Sequence, residues 1–168
     1  MPAIRACELP SDSLLNRYLL SGAFADCYVT EVARSVSHAE FVEAFYTTVV
    51  FKLERLILRI VVSRPSTDAQ ARQLARAERT SFAAWSVEDR SCNQVLPSDF
   101  SGRTRSWLKV APSSNNSTRL YFGSAVIPVH SEKTGHASLD PAFSALLGFH
   151  KLYSRVLLRA ARLHLSRN

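Results

Sequence analysis

The sequence predicts an α+β domain, with an antiparallel sheet packed against a long C-terminal helix and two helices after the first strand. Three observations carry this expectation. "FADCYVTEV" (24–32) is rich in aromatic and β-branched residues, as strands are. Short runs with two-residue alternation cluster between 81 and 129. Two long stretches, 37–63 and 141–164, carry apolar residues at a helical rhythm. Helices and strands grouped in separate runs, rather than alternating, define an α+β plan.

Taken in order, residues 1–22 read as a lead-in with a short helical turn after Ser11 or Ser13, and 23–168 as one domain. In the first strand, Phe24, Asp26, Tyr28, Thr30 and Val32 share one face, and Ala25, Cys27, Val29 and Glu31 the other. The pattern does not say which face is buried. "SHAE" (37–40) is a capping box, since Ser37 and Glu40 can satisfy each other's backbone amides. Apolar residues at 41, 45, 49, 53, 56, 57 and 60 then predict one helix of about 25 residues, ending at Pro65, its apolar face against a sheet. Lys52, Glu54, Arg55 and Arg59 interrupt the stretch and exclude a membrane span.

A shorter helix is expected over 66–79, then a hairpin of 81–88 and 91–98 turning at Asp89–Arg90, with Pro97 ending its second strand early. Strands at 103–110 and 118–129 follow. Asp140 and Pro141 supply an N-cap and a first-turn proline for the last helix. Its apolar stripe is read as Leu146, Phe149, Tyr153, Val156, Ala160 and Leu163, with Lys151, Arg155, Arg159 and Arg162 as a basic stripe.

Composition narrows the function classes. The chain has 168 residues, of which 46% are hydrophobic and 21% charged, as in a folded globular domain. A net charge of +7 favours polyanionic partners, yet the charge is spread with no long run of one sign. Cys7, Cys27 and Cys92 form neither a Cys-x-x-Cys pair nor an even framework, so reduced thiols in a cytoplasmic protein are expected. The first twenty residues lack an uninterrupted apolar core, so no signal peptide is expected.

"FADCYV", "FKLERLIL", "GRTRSWLKV", "RLYFGSAVIP" and "GFHKLYSRVLLRAA" resemble a bacterial family of unknown function. The element order resembles the helix-grip architecture of START-like proteins, which include lipid-transfer proteins and polyketide cyclases. The resemblance implies a curved sheet wrapped around the C-terminal helix and an apolar cavity for a small ligand. It brings no catalytic residues to transfer.

On that expectation the residues placed at the cavity are Asp26, Tyr28, Trp85, Trp107, Tyr121, Ser124, His150 and Tyr153. Aromatic rings supply apolar wall with a polar tip, and the few polar groups fix orientation. The expected partner is a small apolar or amphipathic molecule. An enzyme of cyclase, dehydratase or hydrolase type is the alternative, using His150 as a base beside Asp26 or Glu88. A basic module for an anionic membrane surface or RNA is the third reading. Arg103, Arg105, Lys109 and Arg119 around Trp107 raise the nucleic-acid case, but cross-strand pairing with Glu88, Asp89 or Asp99 is the favoured use of those arginines. His38, His130, His136, His150 and His164 show no metal-ligand spacing, there is no Gly-x-Ser-x-Gly elbow, and the glycines at 102, 123 and 148 form no phosphate loop. Neither metal nor cofactor is expected.

Overall fold

The computed structural model describes residues 3–61, 63–113, 116–127 and 141–167; for Val61 and residues 141–150 it describes the backbone alone. The order is β1 (Arg5–Ala6), α1 (Asn16–Leu20), β2 (Phe24–Val32), α2 (His38–Thr47), α3 (Val49–Val61), α4 (Asp68–Ala75), β3 (Ser81–Phe82), β4 (Trp85–Arg90), β5 (Gln94–Asp99), β6 (Thr104–Pro112), β7 (Thr118–Val126) and α5 (Pro141–Leu165). One seven-stranded antiparallel sheet runs β1-β2-β7-β6-β5-β4-β3. The α+β plan with a C-terminal helix therefore holds.

Both faces of the sheet are covered. Tyr28, Val32, Val95, Leu108, Val110, Leu120 and Phe122 point toward α2, α4 and α5. Cys27, Leu96, Trp107 and Ala125 point the other way, under Leu15 and the N-terminal segment. This is why alternation in β2 did not reveal the buried side: Cys27 and Tyr28 are both buried. The lead-in is thus a second layer of the fold. Gln94 fastens it: its Oε1 accepts from Trp107 Nε1 at 2.8 Å and from the amide of Leu14 at 3.2 Å, and its Nε2 donates to the carbonyl of Asp12 at 2.9 Å.

The helix expected over 37–63 is two helices. The capping box at Ser37 and Glu40 forms as the sequence requires. At Thr48 the backbone turns extended (φ −59°, ψ 152°). Its hydroxyl donates to the carbonyl of Phe45 at 3.1 Å and accepts from the amide of Phe51 at 3.2 Å, serving the end of α2 and the start of α3. On α2, Phe41, Val42, Ala44, Phe45 and Tyr46 are buried, and the Phe45 ring sits 4.8 Å from that of Phe122 on β7. On α3 the expected core face is turned outward instead.

Three smaller corrections follow from local geometry. The hairpin turns at 91–93, closed by the Ser91 amide on the Gln94 carbonyl, not at Asp89–Arg90. Pro97 lies inside β5 opposite Val87; on the β6 side the pairing lapses between Val95↔Leu108 and Ser98↔Arg105, where a residue without an N–H can sit. The α5 stripe is rotated by about one residue, 100° on a helix. Ser154, Leu157, Leu158, Ala161, Arg162 and Leu165 are buried, while Val156 is exposed. Lys, Arg and Leu alternate so closely there that two neighbouring stripes score alike, and Arg162 falls inside because its long stem can lie along apolar surface.

Gly123 is a point of close approach between the second layer and the sheet. A Cβ there would lie 3.0 Å from the Asp26 carbonyl oxygen, 3.0 Å from Trp107 Cε3 and 3.1 Å from Leu15 Cδ2. Gly123→Ala is predicted to destabilise the protein by about 1–3 kcal/mol through overpacking. Urea unfolding measures it, and an unchanged midpoint would refute the close approach of Leu15 to the sheet.

Candidate functional site

The sheet divides the residues expected to line one cavity. Asp26, Tyr28 and Ser124 lie on the helix-facing side, where Asp26↔Ser124↔Ser106 forms a polar row across β2, β7 and β6 between apolar neighbours. Ser124 Oγ donates to Asp26 Oδ1, and Asp26 Oδ2 is buried with no hydrogen-bond partner. The Arg155 guanidinium stands 5.2 Å over the Tyr28 ring. Burial, with Asp26 adding to it, raises the Tyr28 hydroxyl above its ordinary pKa. Trp85 packs at 5.4 Å from Phe51 in the aromatic cluster of α2, α3 and β3. The His150 side chain lies outside the described residues.

Trp107 and Tyr121 are on the opposite face, 6.2 Å apart, so they share no wall with Tyr28 or Tyr153. Between the sheet and α5, the side chains of Tyr28, Phe122, Leu157, Leu158 and Ala161 pack together as core. Trp107 is fully buried and cannot stack on a base. Its basic neighbours are used internally: Arg105 Nε donates to Glu88 at 2.6 Å and Lys109 pairs with Asp12. A bulge between Val87 and Asp89 in β4 makes this possible. The extra residue, Glu88, interrupts the alternation, so Glu88 meets Arg105 and Tyr18 while Asp89 meets Arg17 of the same N-terminal layer. Glu88 therefore lies on the face of the sheet opposite α5.

The feature the sequence pattern misplaced is the outer surface of α3. Val49 is 84% exposed, Leu53 59% and Ile60 72%, with Leu56 and Ile57 each half exposed. Their spacing of 4, 3, 1 and 3 residues sets all of them on one face. The inward side is partly polar. Arg55 reaches Asp68 at 2.5 Å and donates to Ser66 Oγ and O at 2.9 and 2.7 Å, its guanidinium 5.6 Å over the Phe82 ring. Phe51 is buried beside it. Arg55 and Phe51 anchor the inward side of the helix, which presents its aliphatic side outward.

Helix α5 extends this surface. Tyr153 donates its hydroxyl to Glu54 Oε2, joining α5 to α3. Next to Tyr153, Leu152 is 63% exposed and Val156 is also exposed. Cations flank both edges: Lys52 and Arg59 on α3, Arg155 and Arg159 on α5. Lys52 is paired with Asp68 at 2.7 Å; Arg59, Arg155 and Arg159 have no ion pair among the described residues. Scattered surface leucines are ordinary, whereas this aliphatic face is contiguous.

Among the described residues no group of three His, Cys, Asp or Glu is placed to hold a metal ion. His38 is buried at the start of α2 against the Leu108 carbonyl, and burial pushes its pKa down to about 4. Nor is any described helix long and apolar enough to cross a membrane.

Burial raises the Glu54 carboxyl above its ordinary pKa, and the Tyr153 hydroxyl only partly offsets this. A carboxyl that binds its proton more tightly when folded makes stability fall as pH rises from the ordinary Glu range through the raised folded value. Glu54→Gln is predicted to remove that limb and raise the melting temperature at neutral pH, with little change below pH 4. Melting curves from pH 4 to 8 test it; the same pH slope in both proteins would refute the assignment. No protein-family model, no curated protein and no solved structure matches the chain.

Proposed function

We propose that the protein is a peripheral membrane-binding module that seats the exposed face of α3, with Leu152 and Val156 of α5, in the interface of an anionic bilayer. One observation carries this: five aliphatic residues of a thirteen-residue helix face outward in a line, on a surface whose edges are cationic. A helix with a strong apolar face and Lys or Arg at its borders lies in the headgroup region, apolar side down, with the cations meeting lipid phosphates. A second copy of the chain is the poorer occupant. A two-fold contact would bring each cationic rim against its own image on molecules of charge +7. The helix-grip reading, with its curved sheet, belongs to the same proposal.

Vesicle flotation at low salt tests it. Vesicles of phosphatidylcholine with phosphatidylglycerol are expected to carry the protein up, and vesicles of phosphatidylcholine alone are not. Replacing Leu53 and Ile60 with Glu is predicted to lower partitioning by at least about tenfold with far-UV CD unchanged, since each loses apolar burial and adds repulsion. Raising salt weakens binding by screening the rim. Equal flotation of the double variant, or a concentration-dependent dimer with no vesicle binding, overturns the proposal.

A second reading, binding of a small ligand on the helix-facing side of the sheet, is favoured by the Asp26–Ser124–Ser106 row with its unpartnered carboxylate oxygen. Native mass spectrometry of the freshly purified protein is expected to show a discrete added mass that Asp26→Ala removes; a bare mass in both proteins counts against it.

A further inference from the structure

Two cysteines far apart in the sequence meet at the edge of the sheet. The register Arg5↔Val29 and Ala6↔Tyr28 continues to Cys7 opposite Cys27, and the Cys7 amide donates to the Cys27 carbonyl at 2.9 Å. Residues opposite each other in antiparallel strands hold their Cα atoms about 4.5–5.5 Å apart, within the roughly 4.4–6.8 Å that a disulfide spans. The two sulfurs are 3.3 Å apart with both thiols free. Closing to a bond of about 2.05 Å needs only small side-chain rotations. We propose that Cys7 and Cys27 form a reversible disulfide that staples the N-terminal layer to the sheet.

The two positions differ in the way thiol–disulfide exchange requires. Cys7 is half-buried and lines an open groove of about 320 Å³ beside Arg5, Glu8 and Tyr121, so a small disulfide can reach it. Cys27 is 3% exposed and cannot be reached from solvent. With glutathione disulfide as the oxidant, the Cys7 thiolate attacks one glutathione sulfur and expels the other glutathione as thiolate. Cys27 then attacks the Cys7 sulfur, forms the protein disulfide, and expels the second glutathione, which takes up the Cys27 proton. The protein loses two protons and two electrons, and one glutathione disulfide becomes two glutathiones. Burial raises both thiols, and that of Cys27 far above its ordinary pKa, which agrees with Cys27 acting second, as the resolving group.

The bond would close the segment from 7 to 27, which contains α1 and the fully buried Leu15. Its effect is therefore on the layer over Trp107, remote from α3. Cys92 sits exposed in the turn between β4 and β5 and takes no part.

The test uses the full chain with Cys92→Ser, treated with glutathione disulfide at a ratio to glutathione that fully oxidises a reference dithiol. Titratable thiols are expected to fall from two to none, with a proteolytic fragment linking Cys7 to Cys27. The melting temperature is expected to rise by about 5–10 °C and to return on reduction. Adding Cys7→Ser is expected to abolish both changes, and near-UV CD checks that this variant folds. Two thiols remaining, or a lasting mixed disulfide with glutathione on Cys7, overturns the proposal.

Discussion

The direction of α3 depends on the hydroxyl of Thr48 and the guanidinium of Arg55. An uninterrupted helix from 38 to 61 would keep a single apolar stripe on one side. Because Thr48 adopts an extended backbone while its side chain serves the amide of Phe51 and the carbonyl of Phe45, the axis changes with one orphaned amide and one carbonyl satisfied at the break. The first half of the stripe then meets Phe122 and the sheet. The second half is committed elsewhere, because Arg55 is locked to Asp68 and Ser66 and can face only inward. A largely buried cation with matched acceptors is costly to expose, so it fixes the rotation of α3, and Leu53, Leu56, Ile57 and Ile60 must face out.

The sheet carries a layer on each side, and the two are built differently. Over the helix face the contacts are rings and aliphatic chains, with Phe41, Phe45, Tyr46, Phe51 and Phe82 touching in series. Over the other face a short stretch of chain packs Leu15 with the partly buried Cys7, Leu9, Leu14 and Tyr18, and polar ties add to them. Gln94 bonds three groups at once, Lys109 meets Asp12, and the bulge at Glu88 sets consecutive carboxylates against Arg105 and Arg17. The Cys7–Cys27 contact lies at the start of this same layer.

The fold class, the strand at 24–32, the capping box at Ser37 and the C-terminal helix were legible because each depends on nearest neighbours in the chain: alternation, an i to i+3 side-chain bond, a helical period. What was not legible depends on partners far away. The stripe through 49–60 has the same period whether it faces a sheet or solvent, and only Asp68 and Ser66 decide. A threonine before Val49 and Val50 is a cap signal, but the unbroken rhythm across it outweighs it. Glu88 and Asp89 look alternate in the sequence, and the bulge that brings both to Arg17 and Arg105 is a property of the pairing with β5. The split of Trp107 from Tyr28 follows from the register through Gly123 and Phe122, which alternation within single strands leaves undefined.

Charge is distributed by the same logic. Several of the arginines and lysines near the sheet are taken up by carboxylates or carbonyls. Arg105, Arg17 and Lys109 take acids; Arg90 donates to the Leu74 carbonyl and Arg34 to that of Leu165. Helix α5 offers no such acids, since no Asp or Glu occurs in residues 141–168, and its cations at 151, 155 and 159 are exposed. The excess of +7 is thus not a uniform coat. It concentrates along the helix that borders the aliphatic face of α3, so the apolar and cationic surfaces of the molecule coincide. Apolar area alone would favour self-association, and charge alone would favour any polyanion. Their coincidence on one side is the combination an anionic lipid interface satisfies, offering hydrocarbon depth to α3 and phosphate to the rim in a single contact.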